Sequence, residues 1–470
     1  MTLPDVVTLL LQNNQELKNA ALERIVQRQE LRQAESAFSP QFQPLLGIGM
    51  SQTLSDGGFA GGAPLNSSSV GGFGGSMSGG SDRLSNGTVI TRGAQVAGQL
   101  RTPLGTSLSV TVNPFESQRI GVTVTQPLLR GVGARVNQAP VNQARLTEEQ
   151  NQWALQQRIS EQITEAGVAY RALARAQEAL RIEQASLEQQ QQELNFVQVL
   201  VDAGRRARSE LVQVRANIAT TETRVLTAQN ALEQAKSNLL NLLDLEESLA
   251  IAIPPELIAE FQTGEIPAAQ YAAMQVEQLL PAAYENRPEY QQALLAIEVA
   301  KQGQIIAQDN QRWGLDVQAR MGVGDTSDVA AGVTLTRRFG DESLNTEQQR
   351  SEVTLQQRQN DLTRITEEIR LEVGDRLRDV NSALARITAA QQATQLAEQR
   401  LEIATERFRR GRDGDLFQVL SLQNDIVLAR NEEVNAKIDF LDAVSRLDQA
   451  RGLTLGSWRS QIEASGLLRE

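Results

Sequence analysis

Gly314-Leu315-Asp316-Val317-Gln318-Ala319-Arg320-Met321-Gly322-Val323-Gly324 changes character at every second residue. Leu315, Val317, Ala319, Met321 and Val323 share one face, and Asp316, Gln318 and Arg320 share the other. A period of two marks an extended strand between two environments. Gly324-Asp325-Thr326-Ser327 supplies a turn, after which Val333 and Leu335 alternate with Thr334 and Thr336. Strands of about 9–11 residues, apolar on one face and polar on the other, suit a transmembrane barrel with a wet lumen. A soluble sheet with one face on a core carries the same pattern.

Helical sequence flanks this hairpin. Glu285-Asn286-Arg287-Pro288-Glu289-Tyr290 opens about 24 residues in which Ala293, Leu294, Ile297, Ala300 and Ile305 keep helical spacing. After the hairpin, the proline-free run from about Asn345 to Arg410 predicts one helix of roughly 100 Å. It stops at Arg409-Arg410-Gly411-Arg412-Asp413-Gly414-Asp415, and a shorter helix returns over Leu416 to Ala450.

The first half repeats the plan. Gln12-Asn13-Asn14-Gln15-Glu16-Leu17 precedes a helix with Leu17, Ala20, Ala21, Ile25, Leu31 and Ala34 in periodic positions. Alternating segments follow Pro40, including Leu108, Val110, Val112 and Ile120, Val122, Val124 against Ser109, Thr111, Thr123 and Thr125. A second long helix is predicted from about Val136 to Ala203, ending at Asp202-Ala203-Gly204-Arg205-Arg206-Ala207-Arg208, with a return over about Ser209 to Leu245. In each half the two shorter helices sum to nearly the long one, so stacked end to end they would run beside it for its full length. A tall tube needs that match; one globular core does not.

The residue inventory removes several classes of function. With no histidine and no cysteine, the chain lacks the commonest general base, thiolate nucleophiles and the usual zinc ligands. No catalytic, cofactor-binding or metal-binding residue is assigned. The acidic pairs Glu148-Glu149, Glu246-Glu247 and Glu367-Glu368 read as solvated helix faces. A net charge of -12 argues against a nucleic-acid partner. No apolar run reaches the roughly 18 residues of a spanning helix. The cluster from Val6 to Leu11 is too short and lacks a basic flank for a leader, so the signal peptide of an exported protein is expected to be absent from this sequence.

Taken in order, these features resemble the TolC-like outer-membrane efflux family over nearly the whole chain. The opening from Leu3 to Leu17, the segment Val124-Thr125-Gln126-Pro127-Leu128-Leu129-Arg130-Gly131-Val132-Gly133, and Leu416-Phe417-Gln418-Val419-Leu420-Ser421-Leu422-Gln423-Asn424 carry the resemblance. Gln418 departs from it, standing where the family usually has Asp. The resemblance implies a mainly α chain with a transmembrane β-barrel, built of two repeats of helix, β-hairpin, long helix and helix. It implies a homotrimer with four strands per chain in a twelve-stranded barrel, continuous with a long periplasmic α-helical barrel. It further implies a place in the outer membrane of a diderm bacterium, in contact with outer-membrane lipid. The implied partners are a periplasmic adaptor protein and an inner-membrane transporter, in a tripartite efflux pump or a type I secretion system; no cofactor is implied.

The resulting division is a first helical segment at 1–40 and a first β segment at 41–130. A helical hairpin at 131–250 has its tip near 202–208, and an equatorial linker occupies 251–284. A second helical segment lies at 285–312, a second β-hairpin at 313–340, and a second helical hairpin at 341–452 with its tip near 409–415. Residues 453–470 form the C-terminal segment. The uncharged Gly/Ser-rich stretch at 55–92 reads as an extracellular loop. Copy one has strand-like segments near 41–53, 94–101, 106–113 and 118–129, with Thr102-Pro103-Leu104-Gly105 as a turn. The extra pair either enlarges the barrel or forms an extracellular hairpin; the two-strand second copy favours the hairpin.

Functional candidates fall at the tips and in the strands. Asp413 and Asp415 are expected to line or brace a periplasmic gate, with Arg410, Arg412, Arg205, Arg206 and Arg208 pairing across helices or meeting the adaptor. Helix C-termini also favour exposed arginines through the macrodipole. Gly204, Gly411, Leu416, Val419 and Leu420 are adaptor-contact candidates, and Asp316, Gln318 and Arg320 are assigned to the barrel lumen. The competing readings are a coiled-coil fibre or adhesin with small β-caps, and a periplasmic adaptor, which would carry a single helical hairpin.

Overall fold

A computed structural model describes the chain except residues 53–79, 84–87, 115–117, 247, 250, 255, 257–270, 272, 326, 338–339, 411–415 and 468–470. In chain order its elements are α1 (Leu3–Asn13), α2 (Gln15–Glu35), β1 (Gln41–Gln52), β2 (Gly80–Arg83), β3 (Thr88–Arg101), β4 (Ser107–Val112) and β5 (Gln118–Pro127). Then come α3 (Ala134–Asn137), α4 (Ala139–Asp202), α5 (Arg208–Leu242), α6 (Val276–Asn286) and α7 (Pro288–Asn310). The chain closes with β6 (Gly314–Gly324), β7 (Asp328–Thr336), α8 (Glu342–Arg409), α9 (Leu416–Ala450), α10 (Thr454–Ser457) and α11 (Arg459–Ser465). The protein is mainly helical with a small antiparallel sheet. Among the described residues no helix is long and apolar enough to cross a membrane.

Two compact units divide the chain: one of Met1–Val26, Glu149–Leu294 and Asn360–Glu470, the other of Gln27–Glu148 and Leu295–Gln359. The first is a helical bundle. α4 and α8 run for 64 and 68 residues, about 100 Å each. Their sequences hold only isolated glycines, and Pro140 sits in the first turn of α4, where its missing N–H is no loss. Three apolar clusters order the bundle. One joins Val6, Val7 and Leu10 of α1 to Ile159, Tyr170 and Leu173 of α4 and Leu239 of α5. The second joins α6, α8 and α9 through Leu279, Val373, Val380, Phe440 and Leu447. The third packs the far ends of α4, α5, α8 and α9 around Val197, Val214, Phe408 and Leu416.

The second unit holds the sheet. Its strands follow the order β1-β3-β4-β5-β6-β7, every neighbour antiparallel, and β2 pairs with β3. Pro44 lies in β1, the edge strand of this order, where proline is tolerated. The strand inventory corrects two expectations. Residues 80–83 and 88–92 belong to strands and not to the loop assigned at 55–92; β-branched Thr88, Val89, Ile90 and Thr91 explain the start of β3. The rest of that loop lies outside the described residues.

The extra pair in copy one is also not a separate hairpin but part of the sheet. β4 is hydrogen-bonded in register between β3 and β5, and the turn at 102–105 sits at the end of the sheet where the chain leaves for α3. There Gly133 N–H donates to Leu104 O at 3.0 Å. The chain thus gives six strands to one continuous path where the resemblance implied four, with β2 beside it.

Candidate functional site

Register decides which side chains share a face. Reading straight across the sheet, Gln41, Gln99, Ser109, Thr123, Arg320 and Ala330 form one row. Arg101, Ser107, Thr125, Gln318 and Gly332 form the row two residues below, and Pro127, Asp316 and Thr334 continue it. The opposite face is as uniform in the other sense. Phe42, Gly98, Val110, Val122, Met321 and Val329 form one row, and Pro44, Val96, Val112, Ile120 and Val323 another. Large apolar side chains on this face stay exposed, among them Val329 at 80% and Phe42 at 73%. The three residues assigned to a lumen, Asp316, Gln318 and Arg320, therefore share the polar face with Thr123, Thr125, Thr334 and Thr336, while Val317 and Val333 lie on the apolar one.

The segment from Gln126 to Gly133 turns strand into helix. Gly131 and Gly133 take φ of +78° and +96°, a region open to glycine at low cost. The Asn137 side-chain amide donates to Gly131 O at 2.7 Å and Gly133 O at 3.0 Å, while its oxygen accepts from Arg101 at 3.0 Å. Asp309 accepts from Gly131 N–H at 2.6 Å. Gly105 has φ +99°, and a Cβ there would lie 2.3 Å from Gly131 O. The β3–β4 turn is thus keyed to this junction through backbone contact. Nothing in the spacing of Gly105, Gly131 and Asn137 signalled that meeting.

At the tip of α4, Gly204 closes the helix with φ +70°. Gly204 N–H donates to Val201 O and Arg205 N–H to Leu200 O, the paired bonds of a Schellman cap. Arg205 and Arg208 are exposed. Arg206 turns inward: its guanidinium lies 4.5 Å from the Phe408 ring centre and 3.6 Å from Glu210. Phe408 in turn meets Phe196 edge-on at 6.3 Å between centroids. Arg410 pairs with Glu406 at 2.5 Å. Gly411, Arg412, Asp413 and Asp415 lie outside the described residues.

Leu416, Val419 and Leu420 are corrected as adaptor contacts. Each is 2% exposed or less and packs in the apolar cluster with Val197, Val214 and Phe408. A partner cannot reach them without opening the bundle. Phe417, on the other face of the same turn, is 64% exposed.

A ladder of polar contacts links the long helices at levels the sequence reading did not single out. Arg171 of α4 donates to Asp442 of α9 at 2.5 Å and to Ser445 at 3.0 Å. Arg175 reaches Asp439 at 2.6 Å, and Arg386 of α8 approaches the same carboxylate at 3.4 Å. Arg171 is 6% exposed, so this pair is largely withdrawn from water. Burial pushes the Asp442 carboxyl above the usual carboxylate range, against the pull of Arg171. Nearer the tip, Thr221 donates to Gln190 at 3.1 Å, and Arg224 donates to Asn424 at 2.9 Å and lies 3.5 Å from Glu183. The one available signal was paired spacing: Arg171 and Arg175 are four apart, Asp439 and Asp442 three apart, each on one helix face.

A two-faced antiparallel sheet, most of whose strands run for 9 to 14 residues, stands in a chain otherwise made of helices up to about 100 Å. The profile described as "Outer membrane efflux protein" matches residues 6–244, more than half of the 470 residues, and the chain belongs to that family. The family is one of outer-membrane efflux channels and not of enzymes. No curated protein matches. Among solved structures, the outer membrane protein VceC of Vibrio cholerae aligns with TM-score 0.66 at 17% identity, covering 96% of each chain. The CmeC outer membrane channel of Campylobacter jejuni aligns with TM-score 0.66 at 14% identity, covering 98% of this chain and 89% of its own. The open state of the MtrE outer membrane channel of Neisseria gonorrhoeae gives 0.67 at 14%, covering 96% and 88%. At such identities these likenesses establish the fold.

Proposed function

We propose that three copies of this chain close their sheets into one barrel in the outer membrane and join their helices into a periplasmic tube. The assembly is then the exit duct of a tripartite efflux pump or a type I secretion system, fed by an inner-membrane transporter through a periplasmic adaptor. The observation that carries the reading is the register: where β3 to β7 pair, the rows of one sheet face are dominated by polar or small residues and those of the other by apolar ones. A fibre with β-caps has no use for a broad apolar face left open to its surroundings, whereas lipid covers it without cost. Asp316, Gln318 and Arg320 then face the lumen. Helix pairs broken at Asn14 and at Arg287, each followed by strands and a long helix, support a doubled plan.

In this arrangement the exposed Arg205 and Arg208, with Arg410, Arg412, Asp413 and Asp415, form charged rings at the periplasmic entrance, each residue occurring three times. The adaptor meets the exposed turn at Gly204 and its counterpart at Gly411. Conductance of the purified protein across a planar lipid bilayer tests the reading. Discrete ion-conducting steps are expected, larger when Asp413 and Asp415 are replaced by Ala. A heat-sensitive trimer that conducts in neither form would favour the fibre.

A further inference from the structure

We infer that the barrel wall contains six strands from each chain, so that the trimer of the reading above, on which this inference rests, closes at eighteen strands and not at twelve. The deciding element is β4. It is short, yet it occupies a wall position: Ser107–Val112 pairs with Arg101–Val96 on one side and Thr125–Ile120 on the other, with no break in either ladder. Its side chains keep the partition of the whole sheet. Ser107, Ser109 and Thr111 fall in the polar rows, and Leu108, Val110 and Val112 fall in the apolar rows. A hairpin standing outside the membrane has no reason to keep three apolar residues in line with those of β5 and β6.

The neighbouring strands leave no route to a four-strand wall. β1 covers one edge of β3 over 88–99, so β2, which pairs with residues 89–92, must lie on the other edge, above the stretch that β4 covers. β3 therefore has no edge free to meet β6. β6 in turn is held by β5 over Gln118–Pro127 and by β7 over Asp328–Thr336. The free edges of the path are the outer edges of β1 and β7. With six strands alternating in direction, β7 runs opposite to β1, so β7 of one copy can pair antiparallel with β1 of the next. An even count is what such closure requires, and it removes both exposed edges. At a strand spacing of about 4.8 Å and a tilt of about 40°, eighteen strands enclose a backbone diameter of about 36 Å, against about 24 Å for twelve. The consequence is a wider outer mouth, which passes solutes that a twelve-stranded wall would exclude.

The chain has no cysteine, so single thiols report cleanly. The full chain would be reconstituted in phosphatidylcholine vesicles as single variants from Ser107→Cys through Val112→Cys, each carrying an environment-sensitive fluorophore. Val317→Cys and Gln318→Cys serve as reference positions. Several-fold stronger quenching by a lipid-borne nitroxide is expected at 108, 110 and 112 than at 107, 109 and 111, matching the contrast between 317 and 318. Alternation at 317 and 318 with uniformly aqueous signals over 107–112 would overturn the inference and leave the channel reading standing. Loss of alternation at both places would overturn both. As a check free of variants, threefold-averaged images of the wild-type barrel should show eighteen strands; twelve, or a copy number other than three, would refute the count.

Discussion

The sheet and the helical bundle solve opposite problems with polar side chains. In the sheet, polarity is sorted by register: Gln99, Ser109, Thr123 and Arg320 share one row, and Val110, Val122 and Met321 the next. In the proposed barrel neither face needs an interior, because each meets its own medium. In the bundle, Arg171, Glu183, Gln190 and Thr221 are withdrawn from water between helices, and specific partners must satisfy them. A sheet residue is therefore judged by the face it lies on, and a bundle residue by the partner it meets. Substitutions should follow that division.

The largest effect is expected inside the bundle. Asp442→Ala leaves the Arg171 guanidinium buried without its carboxylate, and breaking such a pair costs about 3–5 kcal/mol. Replacing both residues with apolar ones of similar size should recover most of the loss. Chemical unfolding followed by helical circular dichroism measures both variants. If Asp442→Ala cost no more than the double replacement, the pair would not be a specific clasp.

Next comes the sheet. Val317→Arg puts a cation on the apolar face and should cost about 2–4 kcal/mol at mid-membrane depth. Gln318→Arg, one residue along and on the polar face, should cost close to nothing. Folding into vesicles, titrated with denaturant, compares the two. Equal costs would erase the difference between the faces.

Gly105→Ala follows, testing the junction rather than either face. The position needs φ +99° and approaches Gly131 O, so a methyl group must displace backbone. About 1–3 kcal/mol is expected from the strain alone, read in the same folding assay. Gly332, in the open sheet with nothing near its missing Cβ, is the matched control and should tolerate Ala.

These differences also explain what the sequence made legible. Alternation in Leu315–Val323 revealed the strand and its two faces because period two is a local property. Helix lengths were legible for the same reason, with Gly204 marking an end through its own backbone. The partner of β4 was not, because a strand's alternation says nothing of which strand it pairs with. Leu416, Val419 and Leu420 share helical spacing with any apolar stripe; only the arrival of Val197 and Val214 from α4 and α5 makes them core. The Arg171–Asp442 pair joins residues 271 positions apart, and only the packing of α4 on α9 brings them together.

The smallest effect separates the two regions by pH. Glu193 in α4 lies among the tip helices, with one carboxylate oxygen buried and without a hydrogen-bond partner. Burial raises its carboxyl above the usual range, and Arg409 offsets part of the rise. The folded protein then holds that proton more tightly than the unfolded chain. Its contribution to stability is complete below the unfolded pKa and is lost as pH rises through the higher folded value. Glu193→Gln removes this dependence. The variant should melt about a degree or two above wild type at pH 8 and show a smaller gain at pH 4. Glu298, an exposed carboxylate paired with Lys301 in α7, is the control. Glu298→Gln should shift the midpoint little at either pH, because exposed ion pairs contribute little to stability. A gain for Glu193→Gln that was the same at both pH values would mean that the glutamine packs better, and that the buried charge carries no cost.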